Sequence, residues 1–307
     1  AIPYAGTETS AKKVSLSSIG ATIIVALGIF DDVLALGAKL KFIVQIIAAA
    51  IPVCVGGLQI SLFTNLNPFS DAPFWHLGFL AVPVTIIWIV GITNAVNLID
   101  GLDGLAVGVS SIAAITMLAV ALLTDNMAIA ITMAALTGAC IGFMPYNLNP
   151  AKIFMGDTGS TFLGYMLATV SIMGLFKFYA VISFAVPFLI LGLPIFDTAN
   201  AIIRRLAEGR SPMSPDRGHV HHKLIDMGFN QKQAVAILYA ISATLGLTAV
   251  VLTSSGEVKA VVLLAAVLAA ILVGACIIYG AEHWGKHPQE QKKHKNEAAQ
   301  EEKNKHE

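Results

Sequence analysis

Charge is scarce in this 307-residue chain: 12% of residues are Asp, Glu, Lys or Arg, against 56% hydrophobic, and the mean hydropathy is +0.76. Soluble domains carry roughly 25% charged residues, so an ordinary soluble enzyme is excluded. Net charge is lacking too, because 19 basic residues face 19 acidic ones. Without a long-range positive field, no nucleic-acid partner is expected. Cysteine is nearly absent. Cys54, Cys140 and Cys276 lie far apart in apolar runs, which excludes a disulfide framework and a cysteine zinc site and leaves them as packing residues. The chain opens at Ala1 without a basic leader or cleavage site, and is expected to be a fragment or a processed form.

Long apolar runs take the place of charge. A membrane helix needs about 20 mostly apolar residues to cross roughly 30 Å of hydrocarbon at about 1.5 Å per residue. Nine windows qualify: 14–30, 42–58, 77–93, 104–123, 127–144, 158–176, 178–196, 233–253 and 260–280. Some are short, so breaks or tilts are expected. The fold class is therefore an all-α polytopic membrane protein, with residues 1–280 as one transmembrane domain. The tail 281–307, with six Lys, six Glu and four His, has too little apolar surface to order itself. No charged residue falls inside the nine windows, which argues against an ion pump.

The charges collect on one side. With alternating spans, Lys39, Lys41, Lys152, Arg204, Arg205, Arg210, Arg217, Lys223 and Lys232 share a face, opposed by Lys177 and Lys259 alone. The positive-inside rule makes that face cytoplasmic, although Lys12 and Lys13 disagree. Asp31, Asp32, Asp100, Asp103, Asp157, Asp197, Asp216 and Asp226 fall on the same face. Loop solvation explains single acids. Four membrane-proximal loops (31–41, 94–103, 145–157 and 197–232) each bringing Asp to one face imply a cation or a basic ligand among them.

Each loop carries a motif. Phe30-Asp31-Asp32 precedes Lys39 and Lys41, offering a hard-cation ligand and a base beside ammonium groups for phosphate; a polar helix end reads equally well there. Asn94-Ala-Val-Asn97-Leu-Ile-Asp100-Gly101-Leu-Asp103-Gly104 places its polar residues in steps of three, on neighbouring faces if helical. Asn147 and Asn149 lead into Phe154-Met-Gly156-Asp157-Thr158-Gly159-Ser160, where Asp157 is either a helix cap or a Mg²⁺ ligand beside a helix N-terminus that favours anions. Asp216-Arg217-Gly-His219-Val-His221-His222-Lys223 resembles a zinc cluster, but without cysteine and amid basic residues it suits a diphosphate better. A basic segment drawn to lipid headgroups is the plainer alternative.

Together, FDD, NAVNLIDGLDGLA, NPAKIFMGDTGS and PDRGHVHHKL over residues 16–280 resemble the polyprenyl-phosphate N-acetylhexosamine-1-phosphate transferase family, and within it the branch that initiates wall teichoic acid. That resemblance implies an eleven-helix bacterial plasma-membrane enzyme with a cytoplasmic site, of which this chain lacks the first two helices. It implies a Mg²⁺-dependent phosphotransferase, with Mn²⁺ as a substitute, that moves GlcNAc-1-phosphate from UDP-GlcNAc to undecaprenyl phosphate and releases UMP. A homodimer is left open. By motif, Asp31, Asp32, Asp100 and Asp157 are catalytic, with Asp157 and Asp32 at the metal and Asp31 deprotonating the lipid phosphate. Asp103, Asn147 and Phe154 would form the uridine pocket, Asn97 and Asp100 would shape the diphosphate and metal surroundings, and Asn94 would bind substrate. Lys39, Arg217, His219, His221 and His222 would hold phosphates and sugar. The Asp-Arg-x-His-x-His-His pattern resembles the GlcNAc-type enzymes rather than those using UDP-MurNAc-pentapeptide.

Other classes fit less well. A CDP-alcohol phosphatidyltransferase requires Ala-Arg after its Asp-Gly, where this chain has Leu102-Asp103. An intramembrane aspartyl protease has Gly-x-Gly-Asp, where this chain has Phe154-Met-Gly156-Asp157. A transporter of a polyprenyl-linked sugar would more plausibly place charge inside its spans.

Overall fold

The computed structural model describes residues 4–64, 74–174, 182–211, 214 and 218–254. The ninth window, the charged tail, and Asp216 and Arg217 lie outside the described residues. The elements in order are α1 (Tyr4–Leu34), α2 (Ala38–Ala50), a π-helical turn (Ile51–Val55), an antiparallel ribbon of β1 (Leu62–Thr64) and β2 (Phe74–His76), and α3 (Ala81–Leu98). They continue with α4 (Leu105–Leu123), α5 (Met127–Asn147), α6 (Gly156–Gly174), α7 (Ile182–Ile190), α8 (Gly192–Ala207), α9 (Val220–Asp226) and α10 (Gln231–Ser254). In the ribbon, Leu62 pairs with His76 and Thr64 with Phe74.

Among the described residues six helices are long and apolar enough to cross a membrane: Lys12–Leu34, Ala38–Val55, Gly78–Leu98, Leu105–Leu123, Met127–Asn147 and Gln231–Thr253. The chain is a multi-pass membrane protein. Helix α6 matches the sixth expected window but is not one of the six, and its packing explains why. It lies between α1 and α3 and touches α4 and α5, so it is surrounded by protein. Its polar side chains are satisfied locally. Ser160 donates to the Gly156 carbonyl, Thr161 to Asp157, Thr169 to Tyr165 and Ser171 to Ala168, while Tyr165 Oη reaches the Ala48 carbonyl on α2. Hydroxyl groups of this kind lower hydropathy without an unpaired group at depth.

The window 178–196 is corrected from one span to two helices. The chain breaks at Leu191, with Pro187 inside α7 and Pro194 in the first turn of α8, where a missing N–H costs no helix bond. The expected loops prove partly helical. Helix α1 runs past its window to Leu34 and carries Asp31 and Asp32; α3 runs to Leu98 and carries Asn94 and Asn97; Asp197, Arg204 and Arg205 lie on α8. Hydropathy stops at the first charge, but a helix continues while its polar side chains find partners. A buried cluster of Ile99, Leu105, Val109, Leu193, Leu224, Ala234 and Leu238 ties the α3–α4 turn to α8, α9 and α10 beneath these residues.

Candidate active site

Four helix ends meet in one polar pocket lined by Leu27, Gly28, Asp31, Lys41, Gln45, Asn94, Asn97, Asp157 and Thr161. Asp31 is buried. The Lys41 ammonium sits 2.7 Å from Asp31 Oδ2 and 2.9 Å from Asp157 Oδ2. Asp31 Oδ1 accepts the Leu36 N–H at 2.8 Å, and Asn97 Nδ2 donates to Asp157 Oδ1 at 3.0 Å and to Ser160 Oγ at 2.9 Å. Asn94 Nδ2 donates to Gln45 Oε1 at 2.6 Å, closing the floor of the pocket between α2 and α3.

Asp32 faces elsewhere. Its carboxylate accepts the N–H groups of Asp157 and Thr158, at 2.8 and 3.2 Å, and the Thr158 hydroxyl at 2.6 Å. It therefore satisfies orphan amides at the N-terminus of α6, where a negative charge is also favoured by the helix dipole. Through these bonds Asp32 holds in place the turn that carries Asp157, the residue expected beside it at the metal. Gly156 has φ +64 and a β-carbon there would lie 2.8 Å from Asp32 Oδ2, so the Met-Gly-Asp turn needs glycine for both its backbone and its space.

Lys39 is exposed, while Lys41 reaches the carboxylates. Residues two apart on a helix face different ways, and the pocket lies on the face shared by Lys41 and Gln45, four apart. Gln45 was missed altogether; its signal was a lone amide in the apolar run Phe42-Ile-Val-Gln45-Ile-Ile.

Asp100 is in the turn after α3, partly buried, and its carboxyl is pushed up to about 6 by burial first and then by the negative charges of Asp157 and Asp103. Asp103 and Asn147 fasten neighbouring turns. Asp103 Oδ2 accepts Asn149 Nδ2 at 3.0 Å and the Ala151 N–H at 3.1 Å; Asn147 accepts the Gly104 N–H at 3.2 Å and donates to the Ile153 carbonyl at 3.0 Å. Gln231 at the start of α10 accepts from Asn149 as well. On the rim this creates, Phe154 is 77% exposed, an aromatic face open to a planar base.

His219 and His221 are buried and His222 half-buried, where α9 begins. The His219 and His221 rings stack at 5.7 Å with 10° between planes, and His222 lies 4.2 Å from His221. Burial, reinforced by His222, lowers His221 to about 4, so its ring is neutral at pH 7. That ring rests against Gly101, which brings the histidine segment onto the Asp100–Asp103 turn. Arg217 lies outside the described residues. The pocket and the histidines are thus joined through the α3–α4 turn.

A model of glycosyl transferase family 4 matches residues 14–175, over half of the chain. The chain belongs to glycosyl transferase family 4. It is similar to a probable undecaprenyl-phosphate N-acetylglucosaminyl 1-phosphate transferase of Bacillus subtilis, 43% identical over 249 residues that cover 81% of this chain and 68% of that protein. A decaprenyl-phosphate N-acetylglucosaminephosphotransferase of Mycolicibacterium smegmatis is 36% identical over 71% of this chain, which spans 58% of that relative. A phospho-N-acetylmuramoyl-pentapeptide-transferase of Staphylococcus haemolyticus is 35% identical over 69% of this chain and 65% of its own length.

For a family 4 member, the fit of a divalent metal can be judged from the donor set. Asp31 and Asp157 present hard oxygens to one cation, the Lys41 ammonium. No group of three or more His, Cys, Asp or Glu is arranged for a metal among the described residues. The Asp31 and Asp157 oxygens are of the kind Mg²⁺ takes, since it is typically held by one or two carboxylates and completed by phosphate oxygens and water.

Proposed function

We propose that this chain carries the catalytic core of an enzyme that moves GlcNAc-1-phosphate from UDP-GlcNAc to undecaprenyl phosphate and releases UMP, the first membrane step of teichoic acid or related envelope polysaccharide synthesis. The observation that carries the reading is a juxtaposition on α3. One side of this helix, with Asn94 and Asn97, lines the polar pocket; the other, with Trp88, Gly91, Ile92 and Ala95, lines an apolar groove of about 330 Å³. Ile195, Thr198, Ala199 and Ile202 of α8 and Phe188 of α7 complete the groove. An isoprenoid chain suits such walls, and its phosphate would then reach the carboxylates at the helix end.

In this reading an oxygen of the lipid phosphate attacks the sugar-bearing phosphorus of the nucleotide, the bond from that phosphorus to the UMP oxygen breaks, and no covalent enzyme intermediate forms. Bringing two anions together needs positive charge fixed beforehand. Lys41 supplies it, turning from the carboxylates to phosphate oxygens, and Asp31 takes any proton left on the acceptor. Asp157, with Asp32 beside it, would hold Mg²⁺, or Mn²⁺ in its place, and the ion would neutralise charge on the transferring phosphate. Asn97 orients Asp157, Phe154 receives the base, and the histidine segment with Arg217 receives diphosphate and sugar oxygens.

The test is to incubate the complete protein in nanodiscs with undecaprenyl phosphate and labelled UDP-GlcNAc, with and without Mg²⁺, and to follow UMP and labelled lipid. Metal-dependent formation of both is expected, with Asp157→Asn folded but at least about 100-fold slower, the scale of losing one preorganised electrostatic contact. Near-normal turnover of Asp157→Asn would remove the metal assignment. UDP-MurNAc-pentapeptide is expected to be a poor donor; efficient use of it would move the chain to the other branch. Binding without UMP release would mark a transporter.

A further inference from the structure

Asp197 is 2% exposed and His219 5% exposed, and they face each other across two elements. Asp197 Oδ2 lies 2.8 Å from His219 Nδ1, and Asp197 Oδ1 accepts the Val220 N–H at 2.8 Å. Both oxygens of a buried carboxylate are therefore committed to two successive residues of the histidine segment. Burying such a group is costly unless it is fully bonded, so the contact fixes the segment against α8.

The rest of the histidine cluster follows from this contact. His219 stacks on His221, and His221 rests on Gly101. His221 Nε2 is buried without a hydrogen-bond partner among the described residues, so that ring is held by packing rather than by its own bonds. The orientation of the rings is set by the one that is anchored. A carboxylate only accepts, so the hydrogen on His219 must sit on Nδ1, and Nε2 is the nitrogen left for a ligand.

We propose that Asp197 is a positioning residue for the donor: it fixes His219 as the Nδ1–H form and presents the unprotonated Nε2 as an acceptor to a hydroxyl group of the nucleotide sugar. The proposal rests on the phosphotransferase reading above for the ligand, and on the Asp197–His219 geometry for the tautomer. Helix α8 also walls the apolar groove, so the donor-facing ring and the acceptor groove share one rigid element.

Asp197→Asn keeps the shape and an acceptor for the Val220 N–H but loses the charge and the obligatory acceptor at Nδ1. In the complete protein in nanodiscs, it is expected to fold with a near-normal melting temperature and to raise KM for UDP-GlcNAc about tenfold or more, with kcat changed far less. Combined with His219→Ala it should add no further loss. Asp197→Glu, which keeps the carboxylate, should recover part of the affinity and serves as the second variant if Asp197→Asn does not fold. The ¹⁵N spectrum of labelled histidine should show a single Nδ1–H form for His219 in the wild type and a mixture in Asp197→Asn. Unchanged His219 resonances in Asp197→Asn, an unchanged KM, or additive losses in the double variant would overturn the proposal. If the wild type turns over no UDP-sugar, the phosphotransferase reading fails instead, and the ¹⁵N comparison still decides the tautomer.

Discussion

Asp100 and His221 are near neighbours, His221 lying on Gly101, and both are shifted by burial, but in opposite senses. Asp100, raised from 3.8 to about 6, adds stability that is complete below about 3.8 and is lost as pH rises through about 6. His221, lowered from 6.5 to about 4, adds stability that is present above about 6.5 and is lost as pH falls through about 4. Between those values the two slopes oppose each other, so their joint contribution to stability is nearly flat. Asp100→Asn removes one slope and leaves the other. In metal-free buffer, the variant is expected to melt higher than wild type at pH 8, and to lose that advantage steadily as the pH is lowered to 4. Thermal unfolding in detergent at a series of pH values checks this, and a constant offset between the two proteins across the series would show that Asp100 is not titrating there. The position of Asp100 after the third span and of His221 in the 197–232 segment was readable from the sequence. Their mutual contact was not, because it depends on α8 and α9 folding back onto the α3–α4 turn over the cluster of Ile99, Leu193 and Leu224.

The helices owe their registration to a few close approaches. At Gly28 on α1, a β-carbon would collide with the backbone of Thr158 on α6. That approach brings Asp31 and Asp32, one turn later, to Lys41 and to the α6 amides. Gly28→Ala must push the helices apart or strain them, at a cost of about 1–3 kcal/mol, and should lower transferase activity at least about tenfold through the misplaced carboxylates. Gly138→Ala on α5, where nothing lies within 4 Å, is the control and should leave both unchanged or slightly raise stability. Melting temperature and UMP release measure the two effects; equal behaviour of the variants would remove Gly28 from the site's support. At this scale the sequence was legible for helices that face lipid, since apolar composition is what lipid selects. It served for α6 as well, whose hydroxyls bond inside the bundle, and was misleading for the seventh window, where Pro187 and Pro194 divide an unbroken apolar run. Lys39 and Lys41 are alike in composition, and only the helical phase shared with Gln45 separates them.

The polar pocket and the histidine segment lie at the same ends of the helices, and Lys39, Lys41 and Lys223 are there with them. Helix α4 starts beside Gly104 at this end and runs 19 residues to Leu123, which at about 1.5 Å per residue carries the chain roughly 28 Å, close to the depth of the hydrocarbon core. The α4–α5 turn at Thr124–Asn126 therefore belongs to the opposite surface. Glu208, exposed at the end of α8 and paired with Arg210, follows the helix that carries Asp197 and belongs to the surface of the site. By the positive-inside rule the excess of Lys and Arg in the sequence on that side leads to the expectation of a cytoplasmic site, where a soluble nucleotide sugar would be met. The two surfaces can be told apart in intact cells with a cysteine-free background of the complete protein. Asn126→Cys is expected to react with an impermeant maleimide added outside, and Glu208→Cys to react only after the membrane is opened. Asn126 accepts the Ile129 N–H at a long 3.5 Å, so replacing it removes a weak cap and should leave α5 in place. Labelling of Glu208→Cys from outside, with Asn126→Cys protected, would invert the orientation and leave the donor pocket without access to cytoplasmic nucleotide.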